Sequence, residues 1–175
     1  MAIALYDLSI ANYLQALGGV AGFLERGKAH LVDNGIDPQE VVDTRLFPDM
    51  LPFAFQVLSI SHHSSGAIEG LRRGTFAPPP RDLPSQTYDD LQQVVAGARA
   101  TLEAVSPEEV NAFEGRDMEF ALGDFKIPFT AETFLLSFSL PNFYFHATTA
   151  YDILRQKGVP LGKRDFLGKL RIAGS

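Results

Sequence analysis

The chain has 175 residues, the length of one ordinary domain and enough to bury a substantial core. Its 46% hydrophobic and 21% charged residues are the balance of a soluble globular protein, and its net charge of −6 argues against a nucleic-acid or anionic-membrane surface. With no cysteine, disulfides, thiolate metal sites and cysteine nucleophiles are excluded.

The amino-terminal run MAIALYDLSIANYL lacks a basic region and meets Asp7 early, so it does not read as a signal peptide. No apolar run of about 18 residues suggests a membrane span, and the expected location is the cytoplasm. Leu5 to Val32 is predicted as a long helix, because Leu14, Leu17, Ala21, Leu24 and Leu31 recur at helical spacing. Gly18 and Gly19 weaken that helix relative to alanine, and such a pair usually permits close packing. Asn34 and Gly35 end it, since both tolerate a left-handed cap. Asp37 and Pro38 start a short helix.

A second long helix is expected from about Asp49 to Arg73, with Phe53, Val57, Ile60, Ala67, Ile68 and Leu71 in the core and Gly74 as its stop. Residues 74–86, with Pro78, Pro79, Pro80 and Pro84, read as an extended surface connection within one domain of residues 1–175. A third long helix is expected from Tyr88 to Val105, capped by Thr87 and striped by Leu91, Val94, Val95, Ala98 and Leu102. Ser106 and Pro107, followed by two glutamates, begin another short helix.

From Met118 to Phe129 the period changes to two. A turn at Gly123 and Asp124 would pair Leu122 with Phe125, Phe120 with Ile127 and Met118 with Phe129, all on one face. Pro128 suits an exposed edge. Thr130 then caps a final helix running to about Lys157, which Pro141 should kink or restart and Gly158 should end. Four long helices with one hairpin before the last describe an all-α four-helix bundle.

These elements carry a resemblance. The run NFYFHATTAYDILR from Asn142 to Arg155, the tail GVPLGKRDFLG from Gly158 to Gly168, MLPF at 50–53 and FTAETF at 129–134 resemble a bacterial domain-of-unknown-function family, number nineteen ninety-three. That family is similar to the DinB-like four-helix bundles. DinB-like metalloproteins typically use three histidines, one on helix two and two spaced by four on helix four. The resemblance therefore implies a metal set of His62 or His63, Asn142 and His146, with an asparagine where the pattern has histidine. It implies either a ligand-binding or non-catalytic module with a degenerate metal site, or a metal-dependent thiol transferase-like enzyme.

Spacing by four puts Asn142 and His146 on one helix face, about 6 Å apart at their β-carbons. Neutral imidazole suits zinc, nickel or iron, but an amide oxygen is a poor ligand for soft sites and no nearby carboxylate completes the set. The plainer reading is that His146 is a partly buried histidine bonded to a backbone carbonyl or to Asn142. His62 and His63 point about 100° apart, so one faces the bundle and the other a surface or interface. Tyr144 and Tyr151 flank His146 on a helix rich in phenylalanine. This suggests either core plus a homodimer contact, or an aromatic pocket for a small-molecule ligand. Lys163 and Arg164 could face an anion, or stay solvated while Phe166 and Leu167 pin the tail. No phosphate loop, zinc-protease helix or nucleophile elbow occurs.

Overall fold

The computed structural model describes residues 3–79 and 84–172; residues 80–83, including Pro80 of the proline-rich connection, lie outside the described residues. Helices dominate. In chain order they are α1 (Leu5–Leu8), α2 (Ile10–Asp33), α3 (Gln39–Val42), α4 (Phe53–His62), α5 (Ser65–Arg73), α6 (Tyr88–Glu103) and α7 (Pro107–Asn111). After the sheet come α8 (Ala131–Thr133), a π-helical turn (Phe134–Ser139), α9 (Leu140–Gln156) and α10 (Lys163–Leu167). The long helices pack α4 against α9 and α6, and α2 against α6 and α9. Among the described residues, no helix is long and apolar enough to cross a membrane.

Helices one and two are each broken where one continuous rod was expected. The first breaks at Ser9 (φ −117°, ψ −77°) and the second at Ser64 (φ −114°, ψ −85°). In both, the serine hydroxyl donates to the carbonyl four residues back, Leu5 and Ile60, each at 2.7 Å. A serine that bonds its own helix backbone offers the chain an alternative to the regular ladder. Helix two also starts at Phe53 rather than Asp49, because Pro52 supplies the extended residue before it. Gly74 ends it with φ +74°, a conformation that suits glycine.

The third helix begins as its cap predicts. The Thr87 hydroxyl accepts the Asp90 amide, and the Asp90 carboxylate accepts the Thr87 amide at 2.9 Å. The strands β2 (Asp117–Leu122) and β3 (Phe125–Thr130) pair antiparallel, with Leu122 opposite Phe125, Phe120 opposite Ile127 and Met118 opposite Phe129. The all-α expectation omits a third strand. β1 (Thr75–Phe76) runs parallel to β2 and inserts Phe76 into the core. Two residues are too few to show a period, so no alternation betrays this strand. The hairpin face is only partly covered: Met118 is buried, Phe120 and Phe129 are half-buried, and Leu122 and Phe125 are exposed at the tip.

The fourth helix is not one α-helix. In an α-helical path the Pro141 ring would press on the Ser137 carbonyl. The π-helical turn widens the backbone just before it, and Pro141 falls in the first turn of α9, where a missing N–H is tolerated.

The carboxy-terminal segment docks on α2. A β-carbon on Gly19 would stand 2.4 Å from the Phe166 carbonyl oxygen, whereas one on Gly18 would meet nothing within 4 Å. Gly19→Ala is therefore expected to destabilise the fold by about 1–3 kcal/mol. Gly18→Ala is expected to stabilise it by about 0.5–1 kcal/mol. Paired urea titrations check this; equal effects of the two substitutions would mean that the tail is not seated against Gly19.

Candidate functional site

The break in helix two decides which adjacent histidine turns inward. His63 caps α4 and is 5% exposed, while His62, half-buried, sets its Nε2 2.8 Å from the Ala77 carbonyl. The inward ring stacks on His146 of α9, with centroids 5.7 Å apart and planes 15° from parallel. His62 stands edge-on to His63 at 5.4 Å. Phenylalanines wall the group. Phe76 lies 4.5 Å from His62 and 5.5 Å from His63, Phe138 5.8 Å from His63, and Phe55 6.0 Å from His146.

The bond that fixes His146 comes from neither expected partner. Its Nδ1 lies 2.7 Å from Oε1 of Gln56, a residue 2% exposed, and the Gln56 Nε2 donates to the Leu51 carbonyl at 2.8 Å. With the amide oriented by Leu51, Oε1 accepts and His146 Nδ1 must carry the proton. Gln56 escaped the sequence reading, although its spacing is a signal. It lies three residues after Phe53 and four before Ile60, on the core face of α4.

Burial pushes His63 down to about 3, with repulsion from His62 and His146 adding to it. Burial likewise holds His146 at about 4, with His62 contributing. His62 is also lowered, mainly by burial, against the opposing pull of the Ala77 carbonyl. All three imidazoles are therefore neutral at pH 7. Among the described residues, two buried polar atoms, Ser59 Oγ on α4 and Nδ1 of its cap His63, have no hydrogen-bond partner.

Asn142 does not bond to His146. Its Nδ2 donates to the Phe138 carbonyl at 2.7 Å, one turn back. Among the described residues, no group of three or more His, Cys, Asp or Glu side chains could hold a metal ion. The set His62, Asn142 and His146 is a poor donor set for a divalent metal: one member is an amide, and no carboxylate among the described residues completes it. The bonds from His62 Nε2 and His146 Nδ1 to protein oxygens orient the two rings and do not themselves argue against a metal, since a ligating histidine donates its other ring nitrogen in the same way.

The tyrosines belong to another part of the molecule. Tyr144 borders a cleft of about 80 Å³ with Asn12, Gln15, Phe166 and Leu167. Tyr151 packs edge-on to Phe23 at 6.0 Å and to Phe166 at 5.7 Å, beside a shallow groove lined by Thr148, Asp152 and Lys163. Neither borders the stacked histidines, because the α10 segment occupies their side of α9. A larger cavity of about 220 Å³ lies at the start of α4, bounded by Gln39, Arg45, Pro52, Phe55 and Gln86. Phe55 lines that cavity and also packs edge-on to His146. In the tail, Arg26 pairs with Asp165, and Phe166 packs on Tyr151 as the pinning reading expects.

A family model described as a domain of unknown function (DUF1993) matches residues 5–167. Among solved structures, the chain is similar to a DinB family member protein from Shewanella denitrificans. The two are 25% identical with a TM-score of 0.80, over 98% of this chain and 96% of that one. No curated protein matches.

Proposed function

The chain belongs to the family of domains of unknown function DUF1993, and from that premise we propose that it is a DinB-like four-helix bundle with a degenerate metal site, serving as a ligand-binding or non-catalytic module. The observation that carries this reading is the donor set itself: Asn142 stands where the pattern has a histidine, and among the described residues no group of three or more His, Cys, Asp or Glu side chains could hold a metal ion around His146. The 2.7 Å bond to Gln56 orients the His146 ring beside the stacked ring of His63. The cavity lined by Phe55 offers room for a small molecule, and movement of the Phe55 ring would bring that molecule toward His146.

We read residues 1–175 as one domain acting in the cytoplasm without nucleic-acid or membrane partners. The homodimer we propose would use the exposed apolar residues Leu136, Tyr144 and Phe145 along the π-turn and α9.

The test is metal content by mass spectrometry on protein purified without chelator, alongside His146→Ala. Neither protein is expected to carry stoichiometric zinc, nickel or iron, even after reconstitution. Stoichiometric metal that disappears in His146→Ala would sink this reading and favour the alternative, a metal-dependent thiol transferase-like enzyme in which the metal acts as a Lewis acid.

A further inference from the structure

A buried chain of two hydroxyls runs through the centre of the bundle to the histidine pair. The Tyr13 hydroxyl on α2 donates to Ser139 Oγ at 2.9 Å, and Ser139 donates to the His63 carbonyl at 2.7 Å. Tyr13 and Ser139 are both 0% exposed. Each contact joins parts far apart in sequence: α2, the end of the π-helical turn, and the break between α4 and α5.

The break creates the need for this chain. In a continuous helix the His63 carbonyl would accept the Ala67 amide. Here that amide turns to the Ser64 carbonyl, at 3.2 Å. A buried carbonyl left without its ladder partner is costly unless another donor reaches it. Ser139 reaches it from the opposite helix, and the π-helical turn supplies the extra backbone width that ends at Ser139. Tyr13 is held in turn by the edge of Phe143, 5.1 Å away on α9.

We infer that Tyr13 and Ser139 are positioning residues: they clamp the backbone at the helix-two break so that the His63 ring lies over His146. The stack needs a fixed backbone, because among the described residues nothing hydrogen-bonds His63 Nδ1 to orient the ring. Hydrophobic packing alone is non-directional. The hydroxyl chain is a directional contact on the His63 backbone itself, beside the bond from the His63 amide to the Ser59 carbonyl. This assignment rests on the proposed histidine site as the functional centre.

The experiment is two-dimensional NMR on full-length protein, reading cross-relaxation between the His63 and His146 ring protons. Wild type is expected to show the inter-ring signal. Ser139→Ala and Tyr13→Phe are expected to lose at least half its intensity while keeping their far-ultraviolet circular dichroism. Ser139→Thr, which retains the hydroxyl, is expected to restore it. Leu31→Ala, a core substitution about 27 Å along α2 from Tyr13, controls for general loosening and should leave the signal in place. An undiminished signal in both Ser139→Ala and Tyr13→Phe overturns the positioning role, as does equal loss in Leu31→Ala. If Ser139→Ala fails to fold, Tyr13→Phe decides alone, since it removes one oxygen and leaves the ring packing unchanged. Metal found in the wild type would sink the proposed function and leave this result standing, so the two failures are distinguishable.

Discussion

Lowering the pH from 7.5 to 5 is expected to destabilise the folded chain by about 4 kcal/mol through His63 and His146. The sign follows from burial. Both rings are held neutral, His63 at about 3 and His146 at about 4, while an unfolded histidine titrates near 6.5. Between those values the unfolded state binds the extra protons, so stability is fully present above about pH 6.5 and is lost as the pH falls toward the folded values. Each ring contributes up to about 1.4 kcal/mol per pH unit in that window. Urea midpoints measured between pH 7.5 and 5 check the slope, and His146→Gln should roughly halve it. A flat profile would mean that both rings accept protons freely, which a stacked pair under Phe76 and Phe138 does not allow.

Phe76→Ala is expected to remove about 3–5 kcal/mol, the range for deleting a buried aromatic ring. Its ring is 1% exposed and stands within 5.5 Å of His62, His63 and Phe134. It also fills the space left by Gly70, where a β-carbon would lie 3.0 Å from Phe76 Cδ2. The cavity left behind would face both His62 and His63, so the substitution loosens the site as well as the core. Phe76→Leu keeps much of the apolar burial and should lose roughly 1–1.5 kcal/mol. Chemical denaturation separates them. A loss below about 1 kcal/mol for Phe76→Ala would show that β1 does not anchor the sheet to the bundle.

Phe76 illustrates where local reading stops. It lies in a two-residue strand after Gly74, next to a run of prolines, and nothing in its neighbourhood distinguishes it from a loop residue. Its importance comes from Met118 and Phe120 of β2, which approach from more than 40 positions away in sequence. The hairpin itself was readable, because alternation over Met118–Leu122 and Phe125–Phe129 is a local property and Gly123 fixes the turn with φ +58°. The Thr87 and Thr130 caps were readable for the same reason: each bonds within three residues of itself.

The candidate site divides along the same line. His146 and the inward-facing member of the His62–His63 pair are visible as residues, and the family resemblance puts them on facing helices. Their partners are not visible. The resemblance offered Asn142 as a ligand, and the fold turns its amide nitrogen to the Phe138 carbonyl, one turn away. Gln56 looked like an ordinary polar residue in an apolar run, yet it holds the His146 ring from 90 residues away. Tyr144 and Tyr151 are near His146 in sequence and turn toward the carboxy-terminal segment instead.

Helix periodicity, caps, the hairpin register and the family could all be read from the chain, because each depends on residues a few positions apart or on a run of matching motif. Which histidine turns inward, where the helices break, and how a π-helical turn accommodates Pro141 were decided only in the folded molecule. Those choices depend on contacts such as Tyr13 to Ser139 to His63, whose members are 126 and 76 positions apart. A buried carbonyl or imidazole takes whatever donor or ring the packed helices bring to it, and no local pattern records that partner.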